Sequence, residues 1–318
     1  MVNFQVMKNK CKYIIILIFN IFLSQELIAP DLNSEELIEY LNSNYKTNSV
    51  LGYGPARDIM YSEIDNYSGE VFGVYTNYST ILTQGVDPSV DLYNNGMNCE
   101  HLWPQSLGAD NSPMKSDMHH LRPCKENVNT SRGNKPYADI PDNQTNTWYW
   151  LSYQYSGTPQ NNIDQFSESG TNYFEPREDV KGDIARSLFY FYTMYTDVAD
   201  DDFFEIQKET LLQWHYQDLP NTSENERTWN IANYQDNLPN PFIIDSTLVR
   251  RSYFYIAPEL QGDINNDGNI NIIDVVILVD FILGYQSLND NQMEQANMNN
   301  DDTVNIVDVV LLVDSILY

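Results

Sequence analysis

Apolar and polar residues divide the chain into a short apolar leader, a long mixed region and a repetitive tail. Tyr13 to Leu23 is apolar except for Asn20 and follows the basic flank Lys8, Lys10 and Lys12. That run is about half of the ~20 residues needed to span a bilayer, so it reads as an export signal rather than an anchor, with cleavage between Ser24 and Ala29. Ser34–Leu41 has a Ser cap, early acids and apolar residues at helical spacing, and predicts a first helix. Pro55–Asp65 predicts a second, ending in the turn Asp65–Gly69. Glu70–Tyr78 is β-branched and aromatic and predicts a strand. Thr147–Tyr155 fits strand or helix. Asp183–Thr196 predicts a helix with an acidic start, whose aromatics cover more than one face and so belong in a core. Phe204–Tyr216 predicts an amphipathic helix, the Pro-rich Leu238–Phe242 closes the packed part, and Val249–Ile256 is its last ordered segment.

The tail carries a repeat. Asp263, Asn265, Asp267, Asn269, Asn271 and Asp274 precede the apolar stretch Val275–Leu283. The pattern returns 34 residues later as Asn297, Asn299, Asp301, Thr303, Asn305 and Asp308 before Val309–Leu317. Side-chain oxygens at loop positions 1, 3, 5, 9 and 12, with a main-chain carbonyl from position 7, form the oxygen cage of an EF-hand-type Ca2+ loop. The tail resembles a dockerin module. The resemblance implies a small all-α module with paired EF-hand-type loops, calcium-dependent folding, and docking to a cohesin-like or cell-surface scaffold protein. Asn297 replaces the first Asp of the second loop and Asp302 its turn glycine, which predicts a weaker second site. Loop positions 10 and 11 are Ile272-Ile273 and Ile306-Val307, and Asp280 and Asp314 stand where basic residues are expected, so the partner need not be a cohesin.

Charge changes the picture next. The net charge is −28, against the basic surface usual for a nucleic-acid binder. From Glu259 onward there are 11 acidic residues and no Lys or Arg, so the tail holds −11 of the total. The remaining −17 fits a solvated exterior suited to salty or extracellular conditions.

The chemistry is concentrated between Asn98 and Tyr137, where three of the four histidines fall. The segments read Asn98-Cys99-Glu100-His101-Leu102-Trp103-Pro104-Gln105-Ser106, Asp117-Met118-His119-His120-Leu121-Arg122-Pro123 and Val128-Asn129-Thr130-Ser131-Arg132-Gly133-Asn134. Phosphodiester hydrolysis needs a base for the attacking water and a cation on the phosphate, and His101 beside Glu100 supplies a base next to a hard metal ligand. Asn129 can add an amide oxygen, and Arg122 and Arg132 can meet the phosphate. Zinc on His101, His119 and His120 is the competing pattern, without the His-Glu-x-x-His spacing of helical zinc proteases. Cys99 and Cys124 flank the cluster and read as a disulfide or as free thiols.

These three segments resemble the endonuclease I family of His-Me finger, or ββα-metal, nucleases. Ala56-Arg57-Asp58, Val74-Tyr75-Thr76, Gly182–Tyr190 and Asn240–Ile243 extend the likeness over roughly residues 32–256. It implies an α+β fold, His101 as general base, Mg2+ (or Mn2+) held by Glu100 and Asn129, and largely non-specific cleavage of DNA, with RNA as a further substrate. An arginine that some relatives carry before the second finger strand is absent, and Arg122 or Arg132 would replace it. Lys115, Arg122, Lys125, Arg132 and Lys135 gather around the motifs as a local basic groove. The expected organisation is a signal peptide (1–29), a nuclease domain (30–256), a short linker (257–260) and the calcium module (261–318). The chain is then secreted, with no membrane insertion after signal cleavage. The alternative is a non-catalytic, calcium-dependent adhesion protein on a degenerate nuclease fold.

Overall fold

The computed structural model describes residues 27–255, 260–301 and 303–317; the expected export signal, except residues 27–29, and Asp302 lie outside them. Two units divide between Tyr253 and Phe254. The first begins earlier than expected. Ile28 N–H donates to Asp245 at 2.9 Å, and Arg251 donates to the carbonyls of Ile28 and Ala29, so these residues belong to the packed unit.

Helix α1 (Ser34–Tyr45) buries Leu37 and Leu41. Helix α2 (Tyr53–Ile59) continues into a wider π-type turn, Met60–Ile64, which turns Met60, Tyr61 and Ile64 inward. The strand expected over Glu70–Tyr78 is interrupted. β1 (Asn66–Tyr67), β2 (Glu70–Phe72) and β3 (Ser79–Ile81) form an antiparallel meander, and the chain leaves it after Phe72. The Thr76 and Asn77 N–H groups fold back on Gly73 O there, which carries Tyr75 away from the meander. Helix α3 (Pro88–Asn94) follows, capped by Asp87.

Next come β4 (Met97–His101), β5 (Leu121–Lys125) and helix α4 (Glu126–Arg132). β4 and β5 pair antiparallel, with Glu100 opposite Arg122 and His101 opposite Leu121. Thr147–Tyr155 resolves to strands: β6 (Thr147–Trp150) and β7 (Tyr153–Tyr155) form a hairpin whose turn includes Leu151 at φ 51°. With β8 (Ser167–Ser169) and β9 (Phe174–Glu175) they make a four-stranded sheet ordered β7-β6-β8-β9.

Helix α5 (Lys181–Met194) is buried over almost its whole length, which explains its all-round aromatic pattern. Trp103, just beyond β4, stacks on its Phe191 at 4.8 Å. The single helix expected over Phe204–Tyr216 is broken into α6 (Asp201–Glu205) and α7 (Lys208–Gln217). Gln207 at the break is buried and donates to Phe203 O at 2.6 Å. Helices α8 (Thr222–Ala232), α9 (Pro241–Ile244) and α10 (Leu248–Tyr253) complete the unit. Its hairpin rests on a core of Met60, Tyr61, Val71, Leu92, Met97, Cys99, Met118, Leu121 and Ile231.

The second unit holds α11 (Ile272–Ile282), α12 (Asp290–Ala296) and α13 (Ile306–Leu317) around Ile264, Val275, Leu278, Ala296, Val309 and Leu312. The two apolar helices start three residues before the expected Val275 and Val309. Asn271 caps α11 in a capping box with Asp274.

Candidate nuclease site

A pocket of about 490 Å3 is lined by Cys99, Glu100, His101, Pro104, Gln105, Ser106, Asn129, Gly133 and Asn134. Strand β4 delivers Glu100 and His101 at its end, and α4 delivers Asn129 from beside it. Antiparallel pairing followed at once by a helix brings residues far apart in sequence into one wall.

The His101 ring is buried and oriented at both nitrogens. Nε2 lies 3.0 Å from the carbonyl of Lys115, which can only accept, so Nε2 carries the proton. Nδ1 therefore presents its lone pair, 3.3 Å from the Gln105 amide that shares the pocket. Burial, then the neighbouring His120, push the ring's pKa down to about 3, so it is neutral at physiological pH. Tyr53 and His120 pack against it at 5.4 and 5.5 Å.

Glu100 is buried with one oxygen committed. Its Oε1 accepts from Tyr75 Oη at 2.7 Å and from Arg132 Nη1 at 3.0 Å. Burial lifts its pKa to about 7, against the opposing pull of Arg132 and Tyr75. Asn129 uses its amide hydrogens on Asn98 Oδ1 at 2.8 Å and Cys99 O at 3.1 Å. Among the described residues Glu100 Oε2 and Asn129 Oδ1 are thus two hard oxygens without a protein hydrogen bond, and both side chains line this pocket. That donor set, open on the solvent side, fits Mg2+ or Mn2+, which keep several waters. Among the described residues no group of three or more His, Cys, Asp or Glu side chains has metal-holding geometry.

The other expected residues take different places. Arg132 is fully buried and donates to the carbonyls of His101 and Leu102 as well as to Glu100. It ties α4 to the end of β4, and this corrects the expectation that it faces a phosphate: three of its five N–H directions are spent on Glu100 and the two carbonyls, and its Nε is buried away from solvent. Arg122 lines a separate pocket of about 390 Å3, with Asp183 at 3.6 Å and Asp65 at 3.9 Å. The surrounding acids already compensate its charge there, which likewise removes it from the His101 pocket. His119 and His120 turn to Leu238 O and Met114 O, at 3.0 and 2.6 Å, so the three clustered histidines do not converge on one point. Asp117 anchors that turn, accepting from Tyr190, Tyr195, Gln235 and the His119 N–H.

Cys99 and Cys124 are free, buried thiols. Cys99 pairs with Pro123 and Asn98 with Cys124, so the two cysteines project to opposite faces of the hairpin, where no disulfide can form. Burial pushes the Cys99 thiol up to about 12, which removes it as a nucleophile.

Sequence reasoning placed Arg57, Tyr75 and Gln105 in family-like segments but gave neither them nor Tyr137 a role at the site. Arg57 stacks on Tyr53 at 4.6 Å, and Tyr53 packs on His101, so a half-exposed guanidinium reaches this side of the site. The Ala56-Arg57-Asp58 motif signalled it.

In the second unit Asp274 Oδ1 accepts from the Ile264 N–H at 2.9 Å and Oδ2 from the Asn271 N–H at 2.9 Å. Asp263 accepts from the Asp267 and Gly268 N–H groups, which folds the loop around its carboxylate. In the second loop Asp308 accepts from the Asn305 N–H at 2.8 Å, and Asp301 from Thr303.

The Endonuclease I family matches residues 34–247 and the Dockerin type I domain residues 261–317. An extracellular ribonuclease of Bacillus subtilis (strain 168) is 30% identical over 208 residues, 58% of this chain and 65% of the relative. An extracellular ribonuclease of Bacillus amyloliquefaciens is 33% identical over 162 residues, 46% of this chain and 50% of the relative. The chain thus spans half to two thirds of the length of these curated relatives. It belongs to the Endonuclease I family and carries a dockerin type I domain behind its family region.

Proposed function

We propose that the chain is an extracellular, divalent-metal-dependent endonuclease that hydrolyses phosphodiester bonds in RNA and DNA. In this reading β4, β5 and α4 are a ββα-metal finger. The observation that carries it is the His101 pocket: a neutral imidazole whose Nδ1 lone pair faces the Gln105 amide at 3.3 Å, beside two hard oxygens that lack protein partners among the described residues. His101 Nδ1 takes the proton of the attacking water, while the Lys115 carbonyl holds Nε2–H and stabilises the imidazolium that forms. Gln105 keeps the ring aimed and gives way to the water. Glu100 and Asn129 hold Mg2+ or Mn2+. When bound, the ion neutralises charge on the phosphate and the leaving oxygen. Arg132 holds Glu100 rather than substrate, and phosphate contact falls to Arg57, Lys115 and the flanking Lys125 and Lys135.

RNA is included because both curated relatives are named ribonucleases. Circular DNA and structured RNA, incubated with Mg2+ and then with EDTA, provide the test. Cleavage that EDTA stops supports the reading; no cleavage of either polymer overturns it.

The C-terminal loops bind Ca2+ in this account, through Asp263, Asn265, Asp267, Asn271 and Asp274 and the matching Asn297, Asn299, Asp301, Asn305 and Asp308, with main-chain carbonyls at Asn269 and Thr303. The module docks the enzyme to a cohesin-type or cell-surface scaffold. Ca2+ is expected to raise the melting temperature of the full chain, and Asp274→Ala to abolish most of that rise.

A further inference from the structure

Two buried phenols stand behind Glu100. Tyr75 Oη donates to Glu100 Oε1 at 2.7 Å and lies 2.6 Å from Tyr137 Oη. A carboxylate can only accept, so the Tyr75 proton points to Glu100 and the Tyr137 proton points to the Tyr75 oxygen. Both side chains are 0% exposed. Phenylalanine would pack equally well at either position. Burying two hydroxyls costs free energy unless they are hydrogen-bonded, and Glu100 is where this chain of bonds ends.

The rest of the unit fixes the pair. The turn after β2 that bears Tyr75 is clamped from several sides. Val74 N–H donates to Pro123 O at 2.9 Å, Arg177 Nε to Val74 O at 2.9 Å and Ser167 Oγ to Tyr75 O at 2.6 Å. The Tyr75 ring packs on Phe174 at 4.7 Å. Tyr137 is held by its N–H on Gln207 Oε1 at 3.0 Å and by the Arg132 guanidinium over its ring at 4.6 Å. Residues of β5, β8, β9, α4 and the α6–α7 break thus hold the two phenols, and Tyr75 and Arg132 meet at one carboxylate oxygen.

We propose that Tyr75, backed by Tyr137, is a positioning residue for the metal ligand Glu100, fixing Oε1 inward so that Oε2 alone is turned to the pocket. The inference rests on the reading of Glu100 as a metal ligand. Outer-shell partners of ligating groups change metal affinity by about 10- to 100-fold. Loss of the Tyr75 hydroxyl frees Glu100 to rotate or to offer both oxygens, and it weakens the site without touching the base or the substrate.

The experiment is Mn2+ binding to the full chain, followed by electron paramagnetic resonance, with Glu100→Gln defining the background from the C-terminal loops. Tyr75→Phe is expected to weaken the Glu100-dependent Mn2+ binding by about tenfold or more, and Tyr137→Phe to weaken it less, in the same direction. Saturating Mg2+ is expected to restore cleavage by Tyr75→Phe to within a few-fold of wild type. A purely structural role would lower the melting temperature and leave Mn2+ affinity unchanged, which overturns the proposal. If Glu100→Gln binds Mn2+ as wild type does, the ligand assignment itself falls. If only Glu100→Gln loses binding and Tyr75→Phe does not, the positioning role alone falls. Should Tyr75→Phe fail to fold, Tyr137→Phe decides alone: weakened affinity supports the proposal and unchanged affinity overturns it.

Discussion

At the scale of single residues, Arg132 carries the clearest lesson. A basic residue in a nuclease motif suggests contact with phosphate, yet this one is buried and bonded to Glu100 Oε1, His101 O and Leu102 O. Its removal leaves a buried carboxylate without its cationic partner, held by Tyr75 alone, and takes a donor from two carbonyls. Arg132→Ala should therefore destabilise the first unit by about 3–5 kcal/mol, read as a lower urea midpoint. Unchanged stability with lost activity would instead return Arg132 to the phosphate. The Glu100–His101 pair and Asn129 were legible as a group, because chemistry of this type needs a base beside a hard oxygen and an amide from a nearby helix. Tyr75 was not legible as part of the site. Twenty-five residues separate it from Glu100, and only the turn after β2 and the sheet behind it bring the two together.

At the scale of elements, helices with a clear apolar stripe were readable and short polar ones were not. No element was expected over helix α8, yet Asn221 caps it by accepting from the Glu224 N–H. Helix α12 is short and polar, and its capping box pairs Asn289 with Gln292. Both carried a local start signal that the hydrophobic period alone overlooks. The broken strand after Phe72 and the break at Gln207 have tertiary causes, since Tyr75 and Gln207 each leave their element to hold part of the site. Close approach explains Gly182, at the start of α5. A Cβ there would sit 1.9 Å from Asp218 O and 2.8 Å from Arg186 Nη1. Gly182→Ala is expected to cost about 1–3 kcal/mol or more, measured by thermal unfolding, because α5 and α7 must move apart. A neutral effect would mean that Asp218 yields freely.

At the scale of the whole molecule, the charge distribution sets how substrate is held. Among the described residues six cationic side chains, Arg122, Arg132, Arg177, Lys181, Arg186 and Arg227, are buried, together with eleven Asp and Glu. Arg186 and Arg227 form two-pronged pairs with Glu224 and Asp65 at 2.6–2.9 Å. The acidic exterior therefore follows from the chain's composition, with a net charge of −28, and not from selective burial of its positive charge. Few counterions are released when nucleic acid binds such a surface. With Arg57, Lys115, Lys125 and Lys135 as the main contacts, log KM should rise against log salt with a slope no steeper than about 4. A slope several units steeper would reveal a basic face that this account lacks. Reversal of Lys125 and Lys135 to Glu should lower kcat/KM while leaving the melting temperature nearly unchanged.

The central claim is that the pocket formed by β4, the turn after it and α4 hydrolyses phosphodiester bonds with His101 as base. The most direct measurement is the cleavage rate of the full chain on RNA and on circular DNA in saturating Mg2+, for wild type and His101→Ala side by side. The account predicts a loss of about 100- to 10,000-fold in kcat, with folding and Mn2+ binding retained. Cleavage by His101→Ala at the wild-type rate would contradict it.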